Sequence, residues 1–190
     1  MNEIIKKIYK TSPYLKYKNK TDFKSIWPSA RDAGVYGELT QKGGDQIVKK
    51  FKKHFNKDTI FYDLGSGLGK TVLHYGLQYG IKKSVGIEYS KERHEAAIDL
   101  LEKYAKDTTN IEFYCDKIEK KDFSDATVVY ADNTGYADKT NLYIYNTIKP
   151  GCLFLYKKKF MSKKVVEKQK ELKGIDRTYK QSGLLWFIKE

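Results

Sequence analysis

The sequence predicts an α/β fold: a parallel sheet with helices on both faces. Three observations predict it. Apolar strand runs alternate with amphipathic helical stretches from residue 59 onward. The first run, Thr59 to Leu64, leads into Asp63-Leu64-Gly65-Ser66-Gly67-Leu68-Gly69, a glycine turn joining a strand to a helix. The second run, Ser84 to Glu88, ends in a carboxylate. In sheets of this kind ligands lie at the carboxyl ends of the strands, where both features fall.

The elements follow in order. A short amphipathic stretch from Glu3 to Tyr9 precedes a turn-rich segment with Pro13 and Pro28, so residues 1–35 read as an arm and 36–190 as one domain. Between Gly44 and Phe55, Ile47, Val48, Phe51 and Phe55 keep helical spacing until Asn56-Lys57-Asp58 breaks it. After the glycine turn come a helix from Lys70 to Tyr79, the strand Ser84 to Glu88, a helix from Lys91 to Tyr104 and a strand from Ile111 to Asp116. The rhythm continues with a strand from Thr127 to Ala131, a helix from Lys139 to Ile148, a strand from Cys152 to Lys157, a helix from Ser162 to Leu172 and a strand from Leu184 to Ile188. The short last connection predicts a reversed, antiparallel final strand.

Composition bounds the function. With 190 residues and 40% hydrophobic content, the chain can bury a core as one domain. Its apolar runs are too interrupted to span a bilayer and the N-terminus lacks an apolar signal core, so an intracellular protein without a membrane partner is expected. Cys115 and Cys152 are the only cysteines, each in a predicted strand, and both read as small core residues. His54, His74 and His94 lack metal-ligand spacing and read as structural; no metal is expected. A formal charge of +13 favours polyanionic neighbours. Arginine occurs only at 31, 93 and 177, which suits diffuse, non-specific contact with DNA phosphates through lysines better than base reading. Solubility is the plainer reading of that charge, and a solvated face that of the densest patch, Lys157 to Lys159 with Lys163 and Lys164.

The glycine turn alone is weak, because related patterns serve dinucleotides and ordinary tight turns. Asp63, two residues ahead of Gly65, separates the readings: a carboxylate at the loop mouth repels a pyrophosphate and favours a cationic ligand. S-adenosylmethionine carries the required ammonium and sulfonium, and Glu88 is placed to take both ribose hydroxyls. Lys70-Thr71 follows Gly69, yet the glycine that a phosphate-binding loop needs is missing. A nicotinamide or flavin dinucleotide and a purely structural turn stay as alternatives.

Further residues carry a resemblance. Val35-Tyr36-Gly37-Glu38-Leu39-Thr40 stands upstream of the glycine turn, and the fourth strand runs into Asp132-Asn133-Thr134-Gly135-Tyr136. With Asp-Leu-Gly-Ser-Gly-x-Gly and Gly-Ile-Glu, these resemble the disruptor-of-telomeric-silencing family of non-SET histone lysine methyltransferases over about residues 28–160. The resemblance implies a class I, seven-strand, Rossmann-like S-adenosylmethionine-dependent methyltransferase fold. It implies that Tyr36, Gly37, Glu38 and Thr40 fold over the methionine end of the cofactor. Asp63, Gly65, Ser66, Gly67 and Gly69 would form the floor, Glu88 would hold the ribose, and Asp116 with Lys117 would flank the adenine. Asn133 would line the lysine channel beside the sulfonium, with Tyr36, Tyr136 and Trp186 or Phe187 as its aromatic surroundings. The implied substrate is a lysine in the globular core of a nucleosomal histone, the implied place the nucleus, and the expected state a monomer. Leu39 stands where the family has threonine, Asp132-Asn133 replaces a double asparagine, and the helical region before the catalytic fold is cut to residues 1–35, as in a minimal, viral-type version.

The residue types suit methyl transfer without the family. The sulfonium loses its charge as an amine attacks in line, so positioning a neutral amine matters more than a strong base. An apolar aromatic channel promotes loss of the lysine proton. Asn133 also fits a turn or helix cap, Tyr36 and Glu38 a surface loop, and Tyr136 and Trp186 a core. A seven-strand lysine methyltransferase of a non-histone protein is a second reading. A nucleic-acid methyltransferase is a third, though no Asn/Asp-Pro-Pro-aromatic motif follows the fourth strand and no cysteine lies beside it.

Overall fold

In the computed structural model, the structure describes residues 2–11, 38–158, 169–178 and 182–190. Among these residues seven strands form one sheet: β1 (Ile60–Leu64), β2 (Lys83–Glu88), β3 (Ile111–Cys115), β4 (Val128–Ala131), β5 (Leu153–Tyr156), β6 (Lys170–Ile175) and β7 (Ser182–Ile188). Their order is β3-β2-β1-β4-β5-β7-β6. The first five run parallel, and β7 lies antiparallel between β5 and β6, as the short last connection predicts.

Helices α1 (Asn2–Lys10), α2 (Gln41–Lys50), α3 (Lys70–Gln78), α4 (Lys91–Ala105) and α5 (Asp138–Thr147) cover the sheet. Two buried clusters result. On one face Phe61, Val128, Leu153 and Leu155 meet Ile5, Ile8, Ile47, Val72 and Leu100. On the other Leu64, Val129, Phe154 and Tyr156 meet Phe123, Ile144 and Phe187. Because both faces are covered, β4 and β5 are buried at every position and show no polar alternation. Ile5 and Ile8 are fully buried, so α1 is part of this core. Among the described residues no helix is long and apolar enough to cross a membrane.

Two sequence expectations are corrected. The helix expected from Ser162 to Leu172 overlaps β6, which begins at Lys170; the rest of it lies outside the described residues. Lys170, Glu171 and Lys173 are exposed residues on an edge strand, so neither alternation nor propensity marks it, and pairing with β7 decides the conformation. Cys115 ends β3 exposed to solvent, whereas Cys152 is buried as expected.

The chain runs outward from β1 to β3 and returns to β4 on the other side of β1. That reversal opens a crevice between the carboxyl ends of β1 and β4, the usual ligand position in a sheet of this kind.

Candidate active site

The turn after β1 is shaped by three glycines in the left-handed region, Gly65, Gly67 and Gly69, with φ of 82°, 55° and 71°. Gly65 and Ser66 donate their N–H groups to the Ile87 carbonyl at 2.7 and 3.1 Å, which ties the turn to β2. Gly69 caps α3, and a Cβ there would come within 2.4 Å of the Phe113 ring. Phe113 is thus a wedge beneath the loop, and Gly86 is needed beside the same ring.

Glu88, at the end of β2, is buried and accepts from Gly67 N–H and Ser90 N–H, both at 2.8 Å. Both carboxylate oxygens are thereby fixed in direction, and each keeps a free lone pair for a hydroxyl donor. Asp116 and Lys117 follow β3 alongside it: Asp116 donates its N–H to the Glu88 carbonyl, and the Lys117 ammonium stands over the Tyr89 ring.

Asp63 is buried near the end of β1, and no described residue donates a hydrogen bond to it. Burial raises its carboxyl well above the usual carboxylate range, and Glu88 and Asp132 push it further while Arg177 opposes. A buried acid without a bonded cation is a seat for a positively charged ligand. The buried Ser66 hydroxyl in the same turn also lacks a partner, leaving a polar atom for a ligand to satisfy. A buried acid, a second carboxylate with free lone pairs and an unpartnered hydroxyl are features that fit S-adenosylmethionine.

Glu38 and Thr40 come from a segment zipped to the end of β6. Leu39 bridges to Arg177, Thr40 N–H donates to the Asp176 carbonyl, and Thr178 N–H donates to the Glu38 carbonyl. The Thr40 hydroxyl accepts from Gly43 N–H as the N-cap of α2. Glu38 reaches into the molecule to Lys70 at 2.9 Å, an ion pair whose side chains are only 10% and 4% exposed. Lys70 also donates to the Thr11 carbonyl just beyond α1, at 2.8 Å. Tyr36 and Gly37 lie outside the described residues.

Beyond β4 the structure separates two adjacent side chains. Asn133 is fully buried, and its amide is saturated within the chain. Its oxygen accepts from the N–H groups of Lys157 and Lys158, and its nitrogen donates to Asn141 Oδ1 and the Lys158 carbonyl. It clamps the end of β4 to the end of β5 and to α5. Asp132 instead keeps 28% of its side chain exposed and pairs with Arg177, whose guanidinium is 6% exposed and also donates to the Tyr130 hydroxyl.

Tyr136 donates its hydroxyl to the Leu64 carbonyl at 2.6 Å, across the mouth of the glycine turn. Trp186 shares a cross-strand row with Leu155, Tyr130 and Asp63, but its ring packs edge-on against Phe51 with Lys170 above it. Phe187 is buried on the opposite face against Tyr145 and Phe154.

The structure therefore gathers Glu38, Asp63, Glu88, Asp132 and Tyr136 around the crevice, with Lys70 and Arg177 as cations. In the sequence nothing sets Arg177 apart from the other two arginines, because its partner Asp132 is 45 residues away. Nothing local in the sequence marks the contact of Lys70 with Glu38, which lies 32 residues away.

Comparison with known proteins agrees with this architecture. Part of the chain, 74 residues, is 39% identical to a histone-lysine N-methyltransferase, H3 lysine-79 specific, from Kluyveromyces lactis, covering 34% of this chain and 12% of that protein. The chain spans only a small part of that relative. Among solved structures, an RNA methyltransferase from Salinibacter ruber in complex with S-adenosyl-L-homocysteine is 22% identical, with a TM-score of 0.61, over 77% of this chain and 90% of that one. An S-adenosylmethionine-dependent methyltransferase from Geobacter sulfurreducens in complex with the same compound is 17% identical, with a TM-score of 0.54, over 80% and 55%. At such identities the likeness shows the fold, that of class I methyltransferases. The family model for the histone methylation protein DOT1 matches residues 29–184, most of the chain, and the chain belongs to that family.

Proposed function

We propose that this chain is an S-adenosylmethionine-dependent lysine methyltransferase whose acceptor is a lysine in the globular core of a nucleosomal histone. Family membership over residues 29–184, joined to the buried unpaired Asp63 beside Glu88, carries the reading. Bound here, the cofactor would supply a methyl on cationic sulfur, the S–C electron pair staying on sulfur as the acceptor amine forms its N–C bond, and the amine's surplus proton would leave to water.

The chain's own residues supply position and field. Asp63 favours a cation at the end of β1, and the N–H groups of Gly67 and Ser90 hold Glu88 in place for a ribose. Glu38 and Thr40, zipped to the end of β6, close the crevice from above, with Tyr36 and Gly37 preceding them in sequence. Asp116 and Lys117 flank the adenine end. Tyr136 bounds the acceptor side, and Trp186 supports that end of the sheet from its contact with Phe51. The excess of lysine gives diffuse contact with nucleosomal DNA, and the activity belongs where nucleosomes are.

Incubation with tritiated cofactor and three acceptors, nucleosomes, free histones and RNA, tests the reading. Label on a histone is expected, lost in Gly65→Arg. Label confined to RNA overturns it.

A further inference from the structure

We infer that Asp132, oriented by Arg177, is the side chain that receives the acceptor amine, and that Asn133 beside it serves the scaffold. The inference rests on the lysine methyltransferase reading and names the chain's own acceptor-binding group. Asp132 is the first residue after β4, on the crevice between β1 and β4. Its carboxylate lies close enough to Asp63, Tyr130 and Tyr136 to act on the titration of all three. Asn133 has no hydrogen-bonding capacity left, since both amide protons and both oxygen lone pairs are engaged within the chain.

Asp132 keeps that capacity. Oδ1 accepts from the Thr134 hydroxyl at 2.7 Å and Oδ2 from Arg177, leaving one lone pair on each oxygen, on a side chain that is partly open. Arg177 is nearly buried, with its Nε unpartnered, and it rides on the strand end zipped to Leu39. It therefore fixes the direction of the carboxylate. A carboxylate fixed in this way is an orienting acceptor: it attracts the lysine ammonium and, after proton loss to water, holds an N–H so that the lone pair points away from it.

The charges support this assignment. Among the described residues the crevice gathers Glu38, Asp63, Glu88 and Asp132 against Lys70 and Arg177. The excess of carboxyl groups suits two cationic guests, a sulfonium cofactor and a lysine ammonium.

The test compares wild type, Asp132→Asn, Asp132→Glu and Asn133→Ser with nucleosomes, reading kcat and KM against pH, and measures cofactor affinity by calorimetry. A carboxylate beside the bound amine raises the amine's pKa, so Asp132→Asn is expected to move the midpoint of the kcat profile down by about one unit. It should also lower kcat/KM about tenfold at neutral pH, with cofactor affinity within about twofold. Asp132→Glu keeps the midpoint while lowering kcat. A midpoint unmoved in Asp132→Asn, or one moved by Asn133→Ser in its place, overturns the inference alone. A wild type that binds cofactor yet labels no histone overturns the histone reading and this inference with it.

Discussion

The Tyr136 hydroxyl occupies the space where a side chain on Gly65 would begin. It donates to the Leu64 carbonyl at 2.6 Å and lies 2.2 Å from the position of a Cβ on Gly65, whose φ is 82°. Two independent constraints thus require glycine there: left-handed backbone and a neighbouring hydroxyl with no room to spare. The turn after β1 and the turn after β4 are locked to each other by this contact.

Gly65→Ala should lose roughly 2 kcal/mol or more in denaturant unfolding, from backbone strain plus the collision. Part of that is recoverable. Without the hydroxyl, the nearest atom is the ring Cζ at 3.4 Å, an ordinary contact, so Gly65→Ala with Tyr136→Phe should be more stable than the sum of the two single changes predicts. Simple additivity would show that the collision is relieved elsewhere.

Cofactor uptake should release a proton. Burial, Glu88 and Asp132 raise the Asp63 carboxyl above its ordinary range, and a cation placed beside it lowers it again. Between the free and bound values the protein sheds a proton on binding, so affinity falls as pH falls through that window. Calorimetry in buffers of different ionisation enthalpy should register the release, and Asp63→Asn should abolish it along with most of the affinity. Binding without proton exchange at any pH where the protein stays folded would contradict the placement of the cation.

Asn133→Ala removes four hydrogen bonds and strands the N–H groups of Lys157 and Lys158. A loss of about 3 kcal/mol is expected, seen as a lowered Tm with or without cofactor. An unchanged Tm joined to lost activity would mean that the amide serves the substrate and not the clamp.

How much of this could be read in advance depends on how local the cause is. The glycine turn and Glu88 are legible because φ and strand ends are set within a few residues, whereas Thr40, expected over the cofactor, is the cap of α2. β6 was hidden, since Lys170, Glu171, Leu172 and Lys173 suit a helix and become a strand only beside β7. The sequence points to the turn after β4, but nothing in residue type says which of Asp132 and Asn133 is turned into the chain. That direction is set by Lys157, Lys158 and Asn141 on one side and by Arg177 on the other, contacts that sequence spacing does not reveal.

His74 makes stability fall on mild acidification. It is fully buried between Tyr9, whose hydroxyl is 3.1 Å from Nδ1, and Asp45, whose Oδ1 is 3.2 Å from Nε2. Burial lowers its pKa to about 4, against an ordinary value of 6.5, with Asp45 opposing. Between those values the unfolded chain binds the proton and the folded chain does not, so the stabilisation is complete above about pH 6.5 and is lost toward pH 4. The full effect is about 3 kcal/mol. Burial shifts His54 in the same direction, whereas the raised Asp63 has the opposite sign, so the difference from His74→Gln isolates the contribution. Urea midpoints at several pH values between 4.5 and 7.5 should fall more steeply in wild type than in His74→Gln. Parallel curves would mean that Tyr9 and Asp45 accommodate the imidazolium and that the histidine is charged in the fold.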